Sequence, residues 1–182
     1  MSLEGYTDPR ANRPGLYTIA NPQSAEDEVG DFLWGVVRLT HPDNVLETGA
    51  YFGDTTARLV DAVKRNGHGL VTTVEKDPDR AKHVAERLPD ARVLMGSFDW
   101  VDLRPPEGRY GVAFFDSHWE RDLEYRAAKP HLARGAVLVF HDCGPQHKDG
   151  QVRKRVESLM SAGEITGFYV PCPRGLIVAT KN

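Results

Sequence analysis

The sequence predicts an α/β protein built on a doubly wound, mostly parallel seven-stranded sheet, with one antiparallel strand near the C-terminus. Three observations predict it. From Asn44 onward, short strand-like runs alternate with amphipathic helical ones. Two runs, VAFF (112–115) and AVLVF (136–140), are apolar at every position, as strands covered on both faces must be. The last two runs are separated by only PCP (171–173), too short for a crossover helix, so they must pair antiparallel.

Residues 1–23, punctuated by Pro9, Pro14 and Pro22, read as an arm lying over the core. From Ser24 the pattern turns helical, with Ser24 as N-cap, Asp27 three residues on, and Val29, Phe32, Leu33, Val36 and Val37 on one face. His41-Pro42 ends that helix. A strand over 44–49 closes on Gly49, and a helix over 54–67 ends at Gly67. A strand over 70–76 and a helix over 78–88 follow, the latter with Ala81, Val84, Ala85 and Leu88 in register. Strands are expected at 91–96 and 110–116, a helix between Trp119 and Leu132, a strand at 135–142, and a helix from Gly150 to Gly163. Strands at 163–170 and 174–180 complete the chain.

At 182 residues, 40% of them hydrophobic, the chain is long enough for one core and too short for a second substrate domain. One domain is expected over 1–182, with 1–43 as arm and helix and 44–182 as core. The net charge of −3 offers no global field for nucleic acid or anionic lipid. No apolar run approaches a membrane span and the start lacks a signal-peptide pattern, so a cytoplasmic address is expected. Cys143 and Cys172 lack metal or redox spacing and read as free thiols.

In a doubly wound sheet ligands bind beyond the carboxyl ends of the strands. After the first strand come Glu47-Thr48-Gly49-Ala50-Tyr51-Phe52-Gly53, then Asp54-Thr55-Thr56 opening a helix. The glycines permit a sharp turn and close approach of a ligand. The spacing is not GxGxxG, and Tyr51 stands where a pyrophosphate would need glycine, which counts against a nicotinamide-dependent oxidoreductase. Glu75, ending the second strand, can accept hydrogen bonds from both hydroxyls of a ribose. Gly96-Ser97-Phe98, after the third, offers a hydroxyl and an aromatic face to an adenine.

With these residues the chain resembles class I S-adenosylmethionine-dependent methyltransferases from about Asn44 to Thr180. VLETGAYFGDTT is similar to the first motif of the catechol and caffeoyl-CoA O-methyltransferases, and FFDSHW and VFHDCG to their fourth and fifth strand ends. The resemblance implies a Rossmann-like methyltransferase fold and methyl transfer to a hydroxyl of a small molecule. It places Glu47, Gly49, Ala50, Tyr51, Gly53 and Thr55 around the methionine portion of S-adenosylmethionine, Glu75 and Lys76 at its ribose, Gly96, Ser97 and Phe98 at its adenine, and Asp116 also on the donor.

It also implies that Asp116, His141 and Asp142 could hold Mg²⁺ to activate the acceptor. Two departures bear on that. Cys143 stands where the family has an asparagine ligand, and no lysine follows Asp116 closely. The acceptor proton is therefore assigned to Asp116, Asp142 and a histidine, His118 or His141, with or without a cation. Of the other histidines, His41, His68, His83 and His131 read as surface residues, and His147 as part of a lid loop. The basic cluster Lys148, Arg153, Lys154 and Arg155 reads as a solvated helix face. A non-catalytic nucleoside-binding protein that kept the fold stays open beside the enzyme reading, as does a homo-oligomer.

Overall fold

The sheet runs in the order β3-β2-β1-β4-β5-β7-β6, with strands β1 (Asn44–Thr48), β2 (Leu70–Glu75), β3 (Ala91–Met95), β4 (Tyr110–Phe115), β5 (Leu132–Phe140), β6 (Ile165–Val170) and β7 (Leu176–Lys181). It comes from a computed structural model that describes residues 7–20, 23–117 and 119–182. The first five strands pair in parallel. β7 runs antiparallel to both β5 and β6, which makes it the reversed strand the short PCP linker requires.

Alternate residues of the central strands feed two cores. Val45, Val112, Phe114 and Val139 pack under α1 (Asp27–Thr40) and α2 (Asp54–Asn66). Leu46, Ala113, Phe115, Leu138 and Phe140 pack under α4 (Arg121–Ala128) and α5 (Gln151–Ser161). Both faces of these strands are therefore apolar, which explains why their text shows no polar alternation. Helix α3 (Pro78–Arg87) lies along β2 and β3, capped by Asp77, whose side chain accepts from the Asp79 and Arg80 amides.

Three boundaries depart from expectation for identifiable reasons. Helix α1 starts at Asp27, not at Ser24, and Glu26 occupies its N-cap position without capping it. The Glu26 carboxylate is drawn instead to His141 and to the Arg174 amide. The helix expected to run to Leu132 ends at Ala128, because Pro130 has no N–H to continue it; a 3-10 turn over Lys129–His131 leads into β5. Strand β5 then begins three residues earlier than expected and bulges, the register slipping between the Tyr110–Leu132 and Val112–Val137 pairs.

The arm is tied to the C-terminal hairpin. Asp8 is fully buried, its amide donates to the Pro173 carbonyl over 2.7 Å, and its carboxylate accepts from the Tyr169 hydroxyl. No helix among the described residues is long and apolar enough to cross a membrane.

Candidate active site

The strand order reverses between β1 and β4, and the carboxyl ends of the strands there open into a cleft of about 960 Å³. That is the position ligands take in doubly wound sheets, at the upper end of small-molecule pocket sizes.

One wall is the turn after β1. Gly49 has φ +85°, and a Cβ there would lie 2.8 Å from the Asp116 carbonyl oxygen, so glycine is required both by conformation and by contact with β4. Tyr51 also takes a left-handed conformation, φ 52°. Its amide donates to Glu75 Oε2 over 2.8 Å while the Asp77 amide donates to Oε1 over 2.9 Å, which aims the carboxylate at the cleft from the end of β2. The Arg80 guanidinium stacks 4.7 Å above the Tyr51 ring. Glu75, Lys76, Gly96, Ser97 and Phe98 continue this wall, and Asp116 and Asp142 lie across from it. Ala50 and Thr55 line a small adjoining recess with Gly49 and Tyr51.

Two expected donor residues stand back from the cleft. Glu47 points under α2, fully buried, accepting from Thr73 Oγ1 over 2.6 Å and from Thr56 Oγ1. Burial pushes its carboxyl up to about 7, against the pull of those hydroxyls, and its Oε1 has no hydrogen-bond partner. Gly53 occupies the N-cap position of α2 with φ +84°, and a Cβ there would press on Val84 of α3 and on Leu88 just after it. Both shape the turn without lining the cavity.

The acceptor end is a web of buried charge. Arg121, at the first residue of α4 and 2% exposed, reaches Asp116 Oδ1 over 3.0 Å and Asp142 Oδ2 over 3.2 Å through Nη2, and Glu124 Oε1 over 2.9 Å through Nη1. Arg174, from the β6–β7 hairpin, pairs with Asp142 Oδ1 at 2.7 Å and donates to the Ser24 carbonyl. Behind them His141 is wholly buried, with Nδ1 3.0 Å from Asp116 Oδ1 and Nε2 2.7 Å from Glu26 Oε2. Burial alone would lower its pKa, but Asp116, Asp142 and Glu26 outweigh that and hold it at about 10, so it is an imidazolium at neutral pH. Three cations, His141 first, then Arg174 and Arg121, keep Asp142 well below the ordinary carboxylate range despite its burial.

This web bears on the roles expected of His141. A ring that gives both its N–H groups to carboxylates has no lone pair for a cation and none for an acceptor proton. The ligand atoms of Asp116, His141 and Asp142 do lie within 4.8 Å of one another. The charge that balances the two aspartates is nevertheless already present in Arg121, Arg174 and His141, so these residues do not fit Mg²⁺. Cys143 does not help, since its thiol is buried, donates toward the Phe140 carbonyl, and is pushed up by burial. His118 lies outside the described residues.

His147 does face the cleft, 3.6 Å from Asp142 Oδ2 through Nε2. Burial lowers its pKa, Asp142 opposing and Arg174, Arg121 and His141 reinforcing the shift, so the ring is neutral at pH 7. The next three residues, Lys148, Asp149 and Gly150, are all left-handed, with φ 48°, 54° and 71°. Asp142 is left-handed too, φ 61°. Four of the six non-glycine residues with positive φ among the described residues are thus Tyr51, Asp142, Lys148 and Asp149, all at or beside the cleft. Of the basic cluster, Lys148 and Lys154 are exposed as expected, while the two arginines are partly covered. Arg155 pairs with Glu120 and Asp122 and covers the Trp119 ring, and Arg153 pairs with Glu157 over the Tyr169 ring, leaving Lys148 at the cleft. The arm contributes Ile19 and Gln23 to the cavity wall.

Sequence reasoning did not single out Glu26, Arg121, Glu124 or Arg174. The signal for them was the pair His141-Asp142 at the end of an apolar strand, which demands counter-charges from elsewhere.

The fold is shared with solved methyltransferases. An O-methyltransferase from Bacillus cereus, in complex with S-adenosylhomocysteine, superposes with a TM-score of 0.73 at 16% identity, over 89% of this chain and 84% of that one. The O-methyltransferase of tomaymycin synthesis from Streptomyces achromogenes, in complex with S-adenosylmethionine, gives 0.73 at 20% identity, over 88% and 82%. A methyltransferase from Podospora anserina, bound to S-adenosylhomocysteine, gives 0.76 at 15%, over 88% and 80%. No curated protein sequence matches the chain. The sequence pattern of a methyltransferase domain family does match, over residues 46–143, from β1 through the end of β5 and more than half of the chain: the protein belongs to that methyltransferase family.

Proposed function

We propose that the cleft binds S-adenosylmethionine and that the protein transfers its methyl group to a hydroxyl oxygen of a small molecule. The observation that carries this reading is Glu75: a carboxylate held by two backbone amides, with lone pairs free toward the cleft, placed to accept from both hydroxyls of a ribose. Gly49, Ala50, Tyr51 and Thr55 would hold the methionine portion, Lys76 would flank the ribose, and Gly96, Ser97 and Phe98 would take the adenine. Asp116 would face the donor's amino-acid end. The capped Tyr51 ring leaves no bare turn for a pyrophosphate, against a nicotinamide cofactor. The ligands bound by the Bacillus and Streptomyces relatives agree with this reading.

When bound, the donor supplies a methyl carbon made electrophilic by its sulfonium, and the S–C bond breaks with its electron pair left on sulfur as the O–C bond forms. The chain's own part is to align and to move one proton. Asp142, facing Nε2 of His147, favours the tautomer protonated there and leaves Nδ1 to take the acceptor's proton. Asp142 then faces the imidazolium so formed. Glu47 and His141 are positioning residues, one under the β1 turn and one behind the aspartates. The small-molecule character of the acceptor is supported by a cleft with room for a nucleoside and one further small group.

Calorimetric titration with S-adenosylhomocysteine tests the donor site. Wild type should bind, and Glu75→Ala should bind roughly 10- to 100-fold more weakly, the loss of hydrogen bonds to a charged group. Absence of wild-type binding, or equal affinity in the variant, would refute the reading.

A further inference from the structure

Two guanidinium groups at the acceptor end do more than pair with neighbours. Asp116 follows β4 and Asp142 lies just beyond β5, adjacent parallel strands, so their carboxylates converge. Converging carboxylates repel unless a cation lies between them. The Nη2 atom of Arg121 lies there, 3.0 Å from one and 3.2 Å from the other. Arg174 closes the remaining side of Asp142 at 2.7 Å, its own position fixed by the Ser24 carbonyl at 2.9 Å. Arg121 is anchored as firmly, by Glu124 at 2.9 Å and the His141 carbonyl at 3.4 Å. Glu124 in turn accepts from Thr48 Oγ1, whose strand carries the β1 turn.

We propose that Arg121 and Arg174 are built-in cations of the acceptor site, standing where a divalent ion would sit, so that methyl transfer here needs no metal. The proposal rests on reading the cleft as a methyl-transfer site. A metal between these aspartates would have to displace one guanidinium and abut the other beside the buried His141 ring, both of whose nitrogens already face carboxylates. Both arginines are nine-tenths buried or nearly so, and neither can swing into water without leaving a carboxylate unpaired. Their role is positional and electrostatic. They lock Asp142 in its left-handed conformation facing His147, and they offset the negative charge that gathers on the acceptor oxygen as its proton leaves. A fixed guanidinium does this without the ligand exchange that a bound ion undergoes when an acceptor arrives.

The test is a calorimetric titration of the S-adenosylhomocysteine-loaded protein with Mn²⁺, in wild type and in Arg174→Ala. Wild type should show no saturable Mn²⁺ binding at millimolar ion, and its affinity for S-adenosylhomocysteine should be the same with chelator or with Mn²⁺. Arg174→Ala, which bares Asp142 Oδ1, should gain binding of one equivalent. Saturable Mn²⁺ binding by wild type overturns the proposal, and this measurement stands whether or not the variant folds. A folded Arg174→Ala that still refuses the ion overturns the claim that the guanidinium is what excludes it. Failure of S-adenosylhomocysteine to bind at all would instead refute the donor site, so the two readings fail separately.

Discussion

Glu26→Gln should be among the most damaging isosteric changes the molecule can suffer, although Glu26 touches neither wall of the cleft. Its carboxylate is 1% exposed and serves two partners, the Nε2–H of His141 at 2.7 Å and the Arg174 amide at 3.0 Å. An amide offers one oxygen for these two donors and turns its NH₂ toward the other. The imidazolium loses one of its balancing charges while remaining fully buried. Breaking a buried pair from one side costs about 3 to 5 kcal/mol; with Asp116 still facing Nδ1, the lower end, about 3 kcal/mol, is expected. With a urea slope of about 2 kcal/mol/M, the unfolding midpoint should drop by about 1.5 M at pH 7. The pH dependence sharpens this. His141 has a folded pKa of about 10 against an ordinary 6.5, so its stabilising contribution is fully present below pH 6.5 and is lost as pH rises through 10, at up to about 1.4 kcal/mol per pH unit. In Glu26→Gln the folded pKa falls, so the loss still sets in above pH 6.5 but should level off at a lower pH and be smaller in total. Urea unfolding followed by circular dichroism across pH 6 to 10.5 measures both effects. A midpoint shift corresponding to less than about 1 kcal/mol, or an unchanged alkaline limb, would refute the charged network.

Glu47 gives a slope of the same sign in a lower pH window. Its folded pKa of about 7 exceeds the ordinary 4.5, so the folded protein binds more protons between those values and stability falls as pH rises through that window; Glu47→Gln should flatten the fall, and identical slopes in the two proteins would contradict it. His147→Gln should lower kcat/KM by about 100-fold or more while leaving S-adenosylhomocysteine binding intact, measured as S-adenosylhomocysteine formation over a panel of small hydroxyl acceptors. Because burial holds the His147 pKa below its ordinary value, wild-type activity should fall off only below pH 6.5, and the variant should lose that acid limb; a variant that keeps both rate and limb would exclude His147 as the base.

The fold was largely legible because its signals are local. Apolar runs such as VAFF and AVLVF state that both faces are covered, and the PCP linker states which strand is reversed, without reference to any distant residue. The donor wall was legible for the same reason: Gly49, Glu75 and Gly96-Ser97-Phe98 each follow a strand, and strand ends converge in this topology. What escaped was the identity of the charge partners. WERDLEYR, around Arg121, has the composition of a solvated helix start, and nothing local says that Arg121 and Glu124 are buried. Their burial depends on Asp116, Asp142 and Thr48 from three separate strand ends. The N-cap position of α1 supplies Glu26 across 115 residues of chain. The surroundings of His141 escaped because its neighbourhood in sequence, VFHDCG, shows an aspartate beside it and not the two further carboxylates that face its ring.

The run of left-handed residues from Lys148 to Gly150 carries a consequence for how this protein can change. Each non-glycine residue in that conformation costs about 1 to 2 kcal/mol, a sizeable fraction of the 5 to 15 kcal/mol that holds an ordinary domain together. Glycine at 148 or 149 would relieve that strain, yet the chain keeps a lysine and an aspartate there. Durability and the placement of His147 are therefore set against each other within two residues. A lineage pressed toward heat resistance would find this loop an early place to gain it, and would give up the fixed position of its histidine in doing so.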